Sequence, residues 1–194
     1  MATGTQTSTT KKSKSSATKA KTASKSASSS KSTAKKTSTT PKSDPATRLL
    51  MQDHRAVEKL FKQYEKAKEK PAEKQAIFQQ IYMELAVHTQ IEEEIFYPAS
   101  RPHLDEEDIV NEAEVEHASA KDLMAQLQKM KPEDPYYDAK VTVLKEMIEH
   151  HVEEEEKEYF PECRKSDMDL KAVGEQLKAR KEELMAKMGG SALQ

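Results

Sequence analysis

The chain is 194 residues long, with 32 basic and 34 acidic side chains and a formal net charge of −2, and that balance conceals a division. Residues 1–43 hold ten lysines and no acid, which leaves 22 basic against 34 acidic side chains in residues 44–194, or +10 beside −12. A single cysteine excludes an internal disulfide framework, no apolar run approaches a membrane span, and the first residues lack the apolar core of a signal peptide, so a cytoplasmic protein with no membrane association is expected.

Residues 1–43 are mostly Lys, Ser, Thr and Ala. So little apolar surface cannot offset the entropy of ordering, and a disordered N-terminal tail is expected. Its lysines could neutralise phosphates, and without interleaved arginine or aromatics such nucleic-acid contact would be nonspecific and salt-sensitive. The alternative is a spacing or solubility tail. The rest, about 150 residues, suits one domain with one core.

Glycine is absent between Gly4 and Gly174, and strand-like alternation is missing, so the fold class is all-α. Asp44-Pro45 starts the first helix, with an N-cap oxygen ahead of a proline at the first helical position. Leu50, His54, Val57, Phe61 and Tyr64 then mark its buried stripe. Pro71 begins the second helix, whose stripe of Ile77, Ile81, Leu85, His88, Glu92 and Ile95 ends at Pro98. Asp105 opens a third, striped by Val110, Ala113, His117, Ala120, Met124 and Leu127. Asp134-Pro135 starts a fourth, striped by Tyr137, Val141, Leu144, Ile148, His151 and Glu155 and ending at Pro161. The short connections suit an up-down-up-down four-helix bundle over residues 44–162. A further C-terminal helix within residues 163–190, capped by Ser166 and closed by Gly189-Gly190, carries no candidate ligand and would pack on the bundle or mediate a homodimer.

Each of the four bundle helices places a histidine at a core position of the helical period. His88 and His151 are each followed four residues later by a carboxylate, Glu92 and Glu155. Residues four apart share a helix face, so each pair aims a nitrogen and an oxygen at one point. A buried carboxylate without a cation is costly. Two such pairs with His54 and His117 can therefore hold two transition-metal ions with bridging carboxylates. A hydrogen-bonded polar layer is the plainer alternative. Glu92-Glu93-Glu94 and Glu153 to Glu156 are charge runs, and runs are mostly solvated faces. Only Glu92 and Glu155 follow a core histidine at this spacing, and each lies six residues before a proline, which suggests related halves. His150 and His151 compete for one role, and His151 is preferred because its stripe is the more apolar.

At these residues the chain resembles the hemerythrin-like family, specifically its HHE cation-binding domains. The matching stretches are Leu50-Met51-Gln52-Asp53-His54, His88-x3-Glu92-Glu93 through Phe96-Tyr97-Pro98, Glu116-His117, and His150-His151-Val152-Glu153-Glu154-Glu155 through Phe160-Pro161. The likeness implies a non-haem di-iron centre, with His54, His88, His117 and His151 as nitrogen ligands and Glu92 and Glu155 as bridges. Oxygen-carrying hemerythrins have a further histidine four residues before the one on the third helix. Here that position is Ala113, which leaves room for a small ligand unless His150 or Glu114 contributes.

The expected function is a di-iron module that binds or senses oxygen, nitric oxide, peroxide or iron itself. The competing expectations are a di-iron oxidase or peroxide-consuming enzyme, and a DNA-associated protein acting through the tail. Nitrogen-rich mixed ligation suits iron, whereas manganese would prefer more carboxylates and zinc fewer ligands per ion.

Overall fold

The computed structural model describes residues 44–191 apart from 68 and 106; the lysine-rich segment 1–43 lies outside the described residues. Among the described residues seven α-helices follow one another: α1 (Pro45–Ala67), α2 (Pro71–Ile91), α3 (Tyr97–Ser100), α4 (Asp108–Leu127), α5 (Tyr137–Glu154), α6 (Phe160–Lys165) and α7 (Leu170–Ser191). Two π-helical turns, Glu92–Phe96 and Glu155–Tyr159, join α2 to α3 and α5 to α6 without a break. The chain thus builds four rods, α1, α2–α3, α4 and α5–α6, in an up-down-up-down bundle. α1 packs on α2 and α4 on α5, while α7 lies against α1 and α2. Among the described residues no helix is long and apolar enough to cross a membrane.

Local chemistry sets most of the helix ends. Asp44 Oδ1 accepts the Thr47 amide at 3.1 Å, as an N-cap should. Three expected starts move. The third bundle helix begins at Asp108 rather than Asp105. The fourth begins at Tyr137 rather than Asp134, because the Asp134 carboxylate turns back to accept the Lys131 amide at 2.8 Å. Ser166 does not cap α7. Its hydroxyl donates to the Cys163 carbonyl at 2.8 Å and finishes α6, while Asp169 Oδ1 accepts the Lys171 and Ala172 amides at 3.2 and 3.0 Å. Nor does Gly189-Gly190 end the last helix, which continues to Ser191.

Pro98 and Pro161 do not stop their helices either. A proline removes one amide donor and crowds the carbonyl a turn earlier. Here the turn ahead of each is widened, with the Tyr97 amide bonded to the Glu92 carbonyl and the Phe160 amide to that of Glu155. The wider register relieves the crowding, so the helix passes through. Displacing the sequence by 63 residues carries His54 onto His117, His88 onto His151, Glu92 onto Glu155 and Pro98 onto Pro161. The two π-turns coincide under the same displacement. The ligand positions and the π-turns of the two halves therefore share one spacing.

Two apolar clusters fill the interior. One holds Val57, Phe61, Ile81, Leu85, Met124 and Leu144; the other holds Leu50, Ile91, Phe96, Tyr97, Tyr159 and Phe160 with Leu170 and Leu177 of α7. Each such side chain contributes about 1.5–3 kcal/mol when fully buried. That apolar packing holds in place the layer between them, in which His54, His88, Glu92, His117, His151 and Glu155 are all buried.

Gly174 fixes the seat of α7. A Cβ there would lie 2.7 Å from the Ala46 nitrogen and 2.8 Å from Pro45 Cγ. Alanine would gain about 1 kcal/mol of helix propensity. It would lose about 1–3 kcal/mol to overpacking, and rigid backbone at the start of α1 can yield little. Gly174→Ala is therefore expected to destabilise in thermal unfolding; a raised melting temperature would show that α7 sits further from α1.

Candidate metal centre

α1, α2, α4 and α5 each turn one imidazole into the buried layer. His54 Nε2 lies 3.2 Å from His88 Nε2 and 3.2 Å from Glu155 Oε2, and His88 Nε2 lies 3.1 Å from Glu92 Oε2. In the other half His117 Nε2 lies 3.2 Å from His151 Nε2. His117 Nε2 is 3.5 Å from Glu92 Oε2, and His151 Nε2 is 3.5 Å from Glu155 Oε2. Two atoms bound to one metal at about 2.1 Å and a right angle stand about 3.0 Å apart. Among the described residues two buried groups bring their ligand atoms within 4.8 Å of one another, His54 with His88, Glu92 and Glu155, and His117 with His151 and Glu92.

The unsatisfied atoms decide what these groups are for. Both oxygens of Glu92 and Oε2 of Glu155 are buried and accept no hydrogen bond. Burial, together with the facing Glu155, pushes Glu92 well above the usual carboxylate range. A bare carboxylate in such a place costs several kcal/mol. Three imidazoles bond outward through Nδ1: His54 to Glu156 at 2.9 Å, His117 to Glu93 at 3.0 Å and His151 to Glu116 at 2.8 Å. With the proton held on Nδ1, each Nε2 presents a lone pair to the interior. Lone pairs and carboxylates aimed at common points repel one another, and cations between them remove that repulsion. The donor set fits metal ions.

The outer carboxylates are themselves held. Lys121 Nζ lies 2.5 Å from both Glu93 oxygens, Arg55 pairs with Glu156, and Lys181 of α7 pairs with Asp53. The His117 hydrogen bond, with Lys121 behind it, holds Glu93 down at about 2. Asp53 Oδ2 stands 3.6 Å from His88 Nδ1, near enough to orient the ring electrostatically. Partners of this kind typically account for about 10–100-fold in metal affinity. Glu93→Gln is expected to weaken binding by about that factor in competition with a chelator. Unchanged affinity would reduce Glu93 to a surface ion pair.

The two halves differ in one hydroxyl that reaches the ligands. The 63-residue displacement carries Tyr97 onto Phe160. Phe160 stacks on His54 with ring centroids 5.9 Å apart, and Tyr97 packs on His117 at 5.4 Å. The Tyr97 hydroxyl lies 3.2 Å from His117 Nε2 and donates to Glu155 Oε1 at 3.3 Å. Burial, with Glu92 and Glu155 nearby, raises its pKa well above the tyrosine range, so it stays protonated. The half built on His117 and His151 therefore has a buried proton donor that the other half lacks.

The structure brings together His54, His88, Glu92, His117, His151 and Glu155. His150 and Glu114 stay outside. The His150 side chain is 62% exposed beside Glu154, and Glu114 pairs with Arg101 at 2.8 Å on the surface. His150 lies one position off the buried stripe, which is why the more apolar stripe selects His151. Sequence reasoning gave no role at the site to Tyr97, Asp53, Glu93, Glu116 or Glu156. The four acids had a signal, since each adjoins a proposed ligand in the sequence. Tyr97 had none in α-helical periodicity: five residues after Glu92 is off its face in an α-helix, and only the π-turn returns it.

The family profile described as Hemerythrin HHE cation binding domain matches residues 46–163. A protein from Nostoc sp. named as a DNA nickase is 30% identical over 146 residues, covering 74% of this chain but 41% of the relative, so the chain spans less than half of that protein. A solved hemerythrin HHE cation-binding domain-containing protein from Mycobacterium kansasii is similar at a TM-score of 0.63 and 28% identity, covering 76% of this chain and 89% of that one.

Proposed function

The chain belongs to the hemerythrin HHE cation-binding family, and from that premise we propose that His54, His88, Glu92, His117, His151 and Glu155 hold two iron ions in a centre that binds or senses oxygen, nitric oxide, peroxide or iron itself. The observation that carries this reading is the set of buried, unpaired Glu92 and Glu155 oxygens facing two pairs of imidazoles. Four imidazoles with two carboxylates suit iron better than manganese or zinc. When bound, the ions would supply redox chemistry and a coordination position for a small ligand.

The chain's own residues limit what that ligand is. A cavity of about 10 Å³ among Val57, Leu85, Ile148, Val152 and the four histidines has roughly the room of one water molecule. His54, Ile148 and Val152 also line a groove of about 360 Å³ between α1 and α5, and so stand between that groove and the cavity. Their apolar surfaces exclude bulk water, and Ala113 adds no ligand where an oxygen carrier has a histidine. Iron-reconstituted protein is expected to hold two iron atoms per chain and to show the visible absorption of a bridged pair. Well under one atom per chain would end the proposal.

The Tyr97 hydroxyl favours a second reading, a di-iron oxidase or peroxide-consuming enzyme, because it places a proton beside Glu155 and His117. Turnover of peroxide by the iron-loaded protein, lowered in Tyr97→Phe at equal iron content, would support it. A di-iron protein that consumes neither peroxide nor oxygen is a binding module.

DNA association through residues 1–43 is the third reading, supported by their ten lysines and by the named activity of the Nostoc relative. A protein beginning at Asp44 is expected to keep its metal and lose low-salt affinity for DNA, since its charge of −12 repels phosphates. Binding that survives truncation or high salt would place the contacts on the bundle.

A further inference from the structure

Three of the four carboxylates behind the histidines are backed by a permanent cation: Asp53 by Lys181, Glu93 by Lys121 and Glu156 by Arg55. Glu116 differs. Among the described residues no lysine or arginine pairs with it. Its Oε2 accepts from His151 Nδ1 at 2.8 Å, and its Oε1 lies 3.7 Å from His150 Nε2. His150 Nε2 in turn lies 3.3 Å from Glu154 Oε1, one helical turn on. One ligand atom from each of Glu116, His150 and Glu154 lies within 4.8 Å of the others. Glu112 and Glu158 add negative charge around Glu154.

The shared 63-residue spacing shows how this corner differs from its counterpart. Displaced back by 63 residues, Glu116 falls on Asp53, His150 on Val87 and Glu154 on Ile91. Val87 and Ile91 are fully buried, in one cluster with Leu177 and Leu184 of α7, and Lys181 of the same helix neutralises Asp53. α7 lies against α1 and α2, whereas the α4–α5 face carries His150 and Glu154 at the surface. That half keeps the carboxylate but lacks the cation.

We propose that Glu116, His150 and Glu154 form an outer site for a divalent transition-metal ion, occupying the place that Lys181 takes in the other half. One imidazole and two carboxylates, completed by water, suit ions such as manganese(II), iron(II) or zinc. Ligands at about 2.1 Å from an ion span at most about 4.2 Å. The exposed His150 and the half-buried Glu154 close the remaining gap by rotating about their side-chain bonds. Glu116 carries the effect inward, because its second oxygen orients His151. An ion on Oε1 draws charge from Glu116 and makes His151 a weaker base. The outer site does not depend on which ion fills the central one.

Full-length, iron-loaded protein titrated with manganese(II), with free ion followed by electron paramagnetic resonance, tests this. One further equivalent per chain is expected in the wild type and in His103→Ala, a surface control. That equivalent should be lost in His150→Ala and in Glu154→Gln, while iron measured in the same samples stays at the wild-type level. The His150-dependent fraction reads the outer site whether or not iron loads the centre, so failure there is distinguishable from failure of the di-iron reading. Manganese bound equally by wild type and His150→Ala, or by neither, overturns the proposal.

Discussion

Stripping the metal from the loaded protein is expected to lower its melting temperature by about 10 °C or more at neutral pH. A ligand present at a thousand times its dissociation constant stabilises by about 4 kcal/mol per site. In a domain of this size each kcal/mol moves the midpoint by roughly 2–4 °C. The effect is large because removal re-exposes a repulsion as well as losing a bond: Glu92 is 0% and Glu155 2% exposed, and both keep unpaired oxygens. Calorimetry with and without chelator checks it. An unchanged midpoint would mean that the carboxylates are satisfied without metal.

Replacing a shared carboxylate should cost more metal than replacing a terminal histidine. Glu92 lies 3.1 Å from His88 Nε2 and 3.5 Å from His117 Nε2 and so serves both groups, whereas His54 belongs to one. Glu92→Gln is expected to lose nearly all bound iron, and His54→Ala roughly half, by metal analysis after reconstitution. Stability should move the other way. Because burial raises the folded pKa of Glu92 above its unfolded value, this group holds its proton more tightly in the folded metal-free protein, and its contribution to stability falls as pH rises above 4.5. Metal-free Glu92→Gln lacks that charge and should lose the contribution to the slope, becoming the more stable of the two at high pH by about 1–3 kcal/mol. Equal iron loss in both variants, or parallel pH profiles, would contradict the shared role of Glu92.

Much of the bundle was legible because its evidence is local. Leu50, Val57 and Phe61 on α1, and Ile81 and Leu85 on α2, repeat at the helical period, and a histidine within such a stripe can only face the core. Spacing alone marked His88 with Glu92 and His151 with Glu155. Helix starts were less legible, since Asp134 and Ser166 each had a competing backbone partner nearer in space. A capping residue signals that a turn ends, and local competition decides which one.

The amino-acid order by itself determined the all-helical architecture, the four core histidines and the two carboxylates, because periodicity, capping and charge act over a few residues. Only tertiary structure decided the rest. It paired Glu93 with His117 and Glu156 with His54 across the two halves, contacts made between rods and not within them. It set Lys181 of α7 against Asp53, 128 residues away. It also widened the helix at Glu92, so that Tyr97 reached the centre while its counterpart Phe160 brought no hydroxyl. The physical reason is range: hydrophobic period and helix geometry are written in neighbours, whereas hydrogen-bond partners and counter-charges are chosen among residues that meet only when the rods pack.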